Sequence, residues 1–226
     1  MLVGGRVLSG QPDGRLWLAN QWFVLRIDDG RLDEVLDLLA EVSIRWPNVP
    51  TLRAMLARAY CETGRLSDAR SLLDDLAADG FSLPVDNTYL HGLAACAAVC
   101  AALGDATNAA VLEQLLAPYA DQVVAMTPAI SGSVHYYLGL LAATVGDFGR
   151  AESSFAAAEA VHDRVGAPAW LARTRIDRAA MLLRRDGPGD AARARQLLTD
   201  ALGPAVERGW QGLERRARQL LAEAGS

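Results

Sequence analysis

The fold of this chain is decided by residues 136–168, which read YYLGLLAATVGDFGRAESSFAAAEAVHDRVGAP. On either side of Gly146 and Asp147, apolar residues recur three and four positions apart, which is typical of two amphipathic helices. Glycine accepts the left-handed conformation that ends a helix, and aspartate can begin the next one. Small residues at Gly139 and Ala151 let two helices approach closely, and Phe155 fills the remaining gap. The stretch therefore predicts a helix hairpin that packs against its neighbours.

The same turn recurs along the chain. Its glycines are Gly30, Gly64, Gly104 and Gly146, spaced 34, 40 and 42 residues apart, and a weaker copy spans residues 187–190. A hairpin cannot bury its shared face alone, so repeats with this period indicate stacked hairpins. We predict an all-α solenoid of about five hairpins over residues 15–226, after a flexible N-terminal segment at 1–14.

Helical periodicity and turn residues define the predicted elements. We predict helices near residues 15–28, 31–45, 50–63, 66–79, 86–103, 106–119, 131–145, 148–165, 168–186 and 189–207. An eleventh helix, near 210–224, is predicted to cap the open end of the solenoid with Glu214, Arg215, Arg216 and Arg218 facing water. In the linker at 120–130, the run from Val123 to Met126 is predicted to be extended.

The pattern resembles the tetratricopeptide repeat, a helix–turn–helix unit of 34 residues with a W-x2-L-G-x2-Y … A-x3-F-x2-A pattern. One copy carries Leu138, Gly139, Gly146, Ala151, Phe155 and Ala158, and another carries Leu56, Ala57, Tyr60, Gly64 and Ala69. The resemblance implies that the first helix of each pair lines a concave groove. It also implies that this groove binds a protein or peptide partner.

Longer phrases resemble a narrower group of proteins. They are LAADGFSLP (76–84), AALGDATNAAVLEQLLAPYADQVV (101–124), GSVHYYLGLLAATVGDFGRAESSF (132–155) and PAWLARTRIDRAAMLLRRDGPGDAARARQLL (168–198). They are similar to the C-terminal helical tail of actinobacterial regulators with an AAA-type ATPase, some of which add an adenylyl-cyclase or LuxR-type DNA-binding domain. The resemblance implies a regulatory module without enzyme activity, as a tail of a longer protein or a free-standing relative.

Composition excludes several function classes. The formal net charge of −5 argues against general nucleic-acid binding. All 22 basic residues are arginine, so P-loop and Schiff-base chemistry, which need lysine, are excluded. The N-terminus does not have the pattern of a signal peptide, and the two charge-free windows, 87–104 and 122–146, are too interrupted for membrane spans. We therefore expect a cytoplasmic protein; its oligomeric state is left open.

Groove positions of the repeat supply the candidate binding residues. They are Trp17, Asn20, Arg58, Glu62, His91, Tyr136, Asp177, Arg184 and Arg185. A mixed aromatic and charged groove of this kind suits an extended or helical peptide. The alternatives are a small-molecule effector in a pocket among Trp17, Trp22, His91 and Tyr136, or ordinary solvated helix positions.

The signals for metal binding, catalysis and an arginine-rich binding surface are weaker. Cys96 and Cys100 lie one helical turn apart near His91 and could bind zinc, but they occupy core positions where cysteine acts as a small apolar residue. No catalytic motif is present, so neither a catalytic residue nor a metal or cofactor is predicted, and an enzyme on a helical-repeat scaffold is the least favoured alternative. Residues 170–226 carry 11 Arg against 7 acids. That excess predicts either a basic stripe or Arg–acid pairs on exposed faces, and the pairs are favoured.

Overall fold

The computed structural model describes residues 14–126 and 129–225, which form helices arranged in consecutive pairs. The described helices are α1 (Gly14–Ile27), α2 (Leu36–Arg45), α3 (Pro50–Glu62), α4 (Leu66–Ala77), α5 (Tyr89–Leu103), α6 (Ala106–Leu116), α7 (Val134–Val145), α8 (Phe148–Arg164), α9 (Pro168–Arg185), α10 (Asp190–Arg208) and α11 (Gln211–Glu223). Single 3-10 turns, Leu32–Val35 and Ala117–Tyr119, precede α2 and follow α6, and a β-hairpin of β1 (Val123–Met126) and β2 (Ala129–Ser133) precedes α7. Most of the predicted segment at 1–14 lies outside the described residues.

Two of the turns within the pairs form as the sequence predicts, at Gly104 and at Gly146. Gly104 ends α5 with φ +65°, and Gly146 ends α7 with φ +87°. The carboxylate of Asp105 then accepts a hydrogen bond from the backbone N–H of Asn108 at 3.0 Å. Asp147 accepts one from Arg150 at 2.9 Å. Each carboxylate satisfies a backbone donor that the first helical turn leaves unpaired, so the turn ends one helix and begins the next.

The pairs stack in chain order. Besides its own partner, the second helix of each pair packs on the first helix of the next pair: α2 on α3, α4 on α5, α6 on α7, α8 on α9 and α10 on α11. The first helices α3, α5 and α7 also contact one another in succession. This arrangement confirms the predicted all-α solenoid of five hairpins with an additional C-terminal helix. No helix within the described ranges is both long enough and apolar enough to cross a membrane.

Small residues set the spacing within this stack. A Cβ atom added at Gly139 in α7 would lie 2.8 Å from the ring of Phe155 in α8. Ala57, Ala151 and Phe155 are all buried. Because the Phe155 ring occupies the space above Gly139, any larger residue there must displace it.

Replacing Gly139 with leucine is expected to lower the free energy of unfolding by about 1–3 kcal/mol, because it overpacks this contact. Chemical denaturation followed by circular dichroism measures the effect. Gly149→Leu is a matched control, since Gly149 is exposed on α8 and its added side chain meets no buried ring. A Gly139 variant as stable as the wild type would contradict this account of the packing.

The linker before α7 contains a hairpin that the sequence predicts only in part. The extended run at 123–126 is confirmed as β1, but its partner β2 takes residues that the periodicity assigns to α7. The pairing is antiparallel, with Val123 opposite Ser133. Gly132 has φ +91°, and a Cβ there would lie 2.7 Å from the Trp170 ring. A helix cannot begin at residue 131, because this backbone conformation and the close ring both exclude it.

The start of α5 also differs from the prediction. The helix begins at Tyr89 rather than near residue 86. The carboxylate of Asp86 accepts hydrogen bonds from the backbone N–H of Thr88 at 2.7 Å and from its hydroxyl at 2.8 Å. Such local side-chain bonds hold the backbone in a turn and delay the helix.

The two ends of the solenoid meet. The backbone N–H of Gly212, at the start of α11, donates to the carbonyl of Asp28 at 3.1 Å. A Cβ at Gly212 would lie 2.7 Å from the backbone nitrogen of Gly30, so glycine is needed for this approach. Arg215, Arg216 and Arg218 of α11 are exposed, as predicted. Two of them also bond the rest of the chain: Arg216 donates to buried Asp177, and Arg215 donates to the carbonyl of Gly30.

Candidate functional site

The first helices converge on a cleft of about 190 Å³ on the inner side of the solenoid. Helices α3, α5, α7 and α9 supply most of its wall, and α8 and α11 contribute Phe155 and Arg216. The lining combines charged and aromatic groups with small apolar ones: Arg58, Cys61, Glu62, Ala98, Ala101, Ala102, Tyr136, Leu140, Ala143, Thr144, Phe155, Arg173, Asp177, Ala180, Met181, Arg184 and Arg216.

Arg173 joins the wall of the cleft to the first hairpin. Its guanidinium is buried and lies 3.0 Å from the carboxylate of Asp28 and 3.6 Å from that of Glu62. Burial acts to lower the pKa of the Arg173 guanidinium, but the charges of Asp28 and Glu62 outweigh it and hold the pKa above its usual value. Arg173 is therefore a fully ionised, compensated group.

Asp177 in α9 is buried and has two donors. The hydroxyl of Tyr136 lies 2.7 Å from one carboxylate oxygen, and the guanidinium of Arg216 lies 2.6 Å from the other. Burial, reinforced by the charge of Asp177, raises the pKa of Tyr136 well above its ordinary value. The phenol stays protonated and donates to Asp177, so both oxygens of this carboxylate are occupied.

Arg58 is bonded differently from Arg173. Its side chain is only 4% exposed, and one of its terminal nitrogens lies 3.4 Å from the hydroxyl of Tyr137. The rings of Phe23 and Trp170 lie 6.0 and 5.8 Å from the guanidinium carbon. Within residues 14–126 and 129–225, no carboxylate lies within ion-pair distance of Arg58, and its Nε has no hydrogen-bond partner.

His162 lies against the rings of Tyr136 and Trp170, with ring centroids 6.5 and 6.0 Å apart. The backbone N–H of Ser133 donates to its Nε2 at 2.8 Å, so the proton of the neutral ring is on Nδ1, 3.0 Å from the hydroxyl of Thr174. That hydroxyl in turn donates to the carbonyl of Trp170 at 2.8 Å. Burial lowers the pKa of His162 to about 4, so the ring is neutral near pH 7.

Residues 26–95 match the family model for the tetratricopeptide repeat. With the stacked hairpins, this match supports a tetratricopeptide-repeat protein. It spans the second hairpin, α3–α4, together with parts of its neighbours. No curated protein matches the chain. Tetratricopeptide repeats generally serve as non-catalytic scaffolds for interactions between proteins.

The structure brings together five of the nine groove residues that the repeat pattern predicts. The five that line the cleft are Arg58, Glu62, Tyr136, Asp177 and Arg184. Two of the other four, Asn20 and His91, are buried, and Trp17 is 48% exposed on α1 and does not line the cleft. Arg185 turns toward Asp190, to which it donates at 2.7 Å. Of the aromatic pocket predicted among Trp17, Trp22, His91 and Tyr136, the cleft contains only Tyr136.

Sequence reasoning missed two charged residues of the cleft, Arg173 and Arg216. Tetratricopeptide groove positions skip Arg173, and the amphipathic pattern of α11 assigns Arg216 to the solvent face. Their only signal in the sequence is the excess of arginine after residue 170. Several of these arginines form ion pairs, as the favoured interpretation predicts: Arg185 pairs with Asp190, Arg216 with Asp177 and Arg218 with Glu214.

The two cysteines near His91 are buried in the core. Burial raises the pKa of Cys96 to about 12 and also raises that of Cys100. Burial, with the nearby charge of Arg58, lowers the pKa of His91 to about 4. Protonated thiols are weak ligands and weak nucleophiles, so these cysteines act as small apolar side chains in this structure.

Proposed function

We propose that the chain is a non-enzymatic regulatory scaffold that binds a protein or peptide partner in the cleft formed by its first helices. The observation that carries the proposal is that five predicted groove residues line one cleft, together with apolar side chains. Arg173 and Asp177 are already held by ion pairs and hydrogen bonds to other residues of the chain, so the wall of the cleft is ordered before a partner arrives. Such pre-organisation lowers the entropy lost on binding.

The setting of this scaffold is also part of the proposal. The long phrases at 101–124 and 132–155 resemble the helical tail of actinobacterial regulators. On that resemblance, the partner is a component of a bacterial transcription or signalling system, and binding in the cleft alters the activity of an attached or associated regulator.

Peptide selection with a blocked cleft tests the binding proposal. Ala102 is exposed and lines the cleft, so Ala102→Trp should fill its entrance. Ala156→Trp, on the exposed face of α8 outside the cleft, is the matched control. Peptides enriched on the wild type should bind the Ala102 variant at least about tenfold more weakly, as expected when an interface centre is lost. They should bind the Ala156 variant normally; equal binding to both variants, or no enrichment at all, would contradict the proposal.

A second candidate is a small-molecule sensor. The observation that favours it is the contact between the ends of the solenoid at Asp28 and Gly212, which limits the length of peptide that the inner face can hold. A ligand that raises the melting temperature of the wild type, but not of the Ala102→Trp variant, would favour the sensor over the peptide scaffold.

A further inference from the structure

The charges around the cleft do not balance. Of the described residues that line it, four are arginines, Arg58, Arg173, Arg184 and Arg216, and only two are acidic, Glu62 and Asp177. Asp28 and Glu62 compensate Arg173, and Asp177 compensates Arg216. Among the described residues, no carboxylate pairs with Arg58 or Arg184, and Arg184 donates only to the carbonyl of Ala143, at 2.9 Å. The cleft is therefore locally cationic in a protein whose net charge is −5.

Arg58 is the more informative of the two, because it is buried. A buried charge is costly unless an opposite charge and hydrogen bonds compensate it. A guanidinium has five N–H donors, and the Tyr137 hydroxyl receives one of them, at 3.4 Å. The faces of Phe23 and Trp170 attract the cation but accept no strong hydrogen bond. The Nε of Arg58 is fully buried, so the donors left for an oxyanion are those of its terminal nitrogens.

The rest of the lining indicates the shape of that anion. Leu140, Phe155 and Met181 form an apolar wall, so the anion should carry an apolar body. A cavity of about 150 Å³ holds a benzene molecule. The volume here, about 190 Å³, admits a group only slightly larger. This size fits a side chain or a small organic acid.

We infer that the cleft binds a carboxylate with a compact apolar body, with Arg58 as its principal counter-ion and Arg184 as a second cation. The guanidinium fork matches the two oxygens of a carboxylate. This inference rests on the cleft being the binding site of the proposed function, and it specifies the chemistry recognised there. The carboxylate comes either from a free organic acid or from an acidic side chain of a bound partner.

Thermal melts of the full chain test the inference with three small probes. Benzoate should raise the melting temperature, while benzamide, which has the same shape but no charge, should not. Inorganic phosphate should act more weakly than benzoate because it has no apolar body. Stabilisation by phosphate that equals or exceeds that by benzoate, or no stabilisation by benzoate, would overturn the inference without requiring any variant to fold.

Two variants then locate the site. Arg58→Met removes the charge at similar length and should weaken benzoate binding, measured by calorimetry, at least about tenfold, the loss typical of a charged hydrogen bond. Arg195→Met, on the exposed face of α10, is the matched control and should bind benzoate as the wild type does. If Arg58→Met retains the affinity of the wild type, the assignment of Arg58 is wrong.

A peptide pair distinguishes the two sources of the carboxylate. An alanine-rich peptide with blocked ends and one central glutamate is compared with its glutamine counterpart. Tighter binding of the glutamate peptide than of its glutamine counterpart supports a partner side chain. Binding of benzoate but of neither peptide supports a free acid and counts against the peptide scaffold, but not against the anion site. If the peptides selected by the cleft contain no acidic residue and bind the Arg58→Met variant as tightly as the wild type, the anion site is wrong. The peptide scaffold would still stand.

Discussion

Replacing Phe155 with alanine is expected to lower the free energy of unfolding by about 3–5 kcal/mol, the range found for large aromatic residues in protein cores. Phe155 is fully buried, lies against Gly139 and packs with Tyr136 at a ring separation of 6.3 Å. Denaturant unfolding monitored by circular dichroism measures the loss. Phe148→Ala, on the same helix but only half-buried, should cost clearly less. A loss below about 1 kcal/mol at Phe155 would mean that this ring does not hold α7 and α8 together.

The same pair of residues allows a stricter test. Gly139→Leu should destabilise the wild type, because it collides with the Phe155 ring. In the Phe155→Ala background it should instead restore stability, because the added side chain fills the cavity. Residues in direct contact show coupling energies of about 0.5–3 kcal/mol. Additive effects of the two substitutions would show that Gly139 and Phe155 do not share this space.

Acidification from pH 7 to pH 5 is expected to lower the free energy of unfolding by about 2 kcal/mol for each of two buried histidines. The pKa of His91 and that of His162 are both lowered to about 4 in the folded protein, chiefly by burial. In the unfolded chain the value is near 6.5. Between these values the unfolded chain binds protons that the folded chain does not, so stability falls as pH falls through this window.

This pH dependence can be separated from that of the carboxylates. Hydrogen bonds from the backbone and side chain of Arg150 lower the pKa of Asp147, and a carboxylate of this kind stays ionised at pH 5. Urea unfolding of the wild type, His91→Gln, His162→Gln and the double variant at both pH values measures the histidine contribution. Each single variant should remove about half of the pH effect. An unchanged pH effect in the double variant would assign the acid sensitivity to other groups.

Much of the fold could be predicted because its signals are local. The left-handed glycines at Gly104 and Gly146 and the aspartates that follow them are recognised within four residues of sequence, and they place the turns correctly. The β-hairpin was predicted only as the run at 123–126. Its second strand contains Gly132, which packs against the ring of Trp170 in α9. No local pattern contains that contact.

The binding cleft also combines features that local sequence predicts with features that only the tertiary structure shows. The sequence by itself determined the succession of hairpins, their turns and which helices come first in each pair, because these follow from backbone preferences and short-range periodicity. Only the tertiary structure decided that Arg173 pairs with Asp28, 145 residues away, and that Arg216 reaches Asp177. The same holds for the burial of Arg58 with no carboxylate partner among the described residues. These contacts depend on the small rotation between successive hairpins, which accumulates over the stack until α11 meets the end of α1.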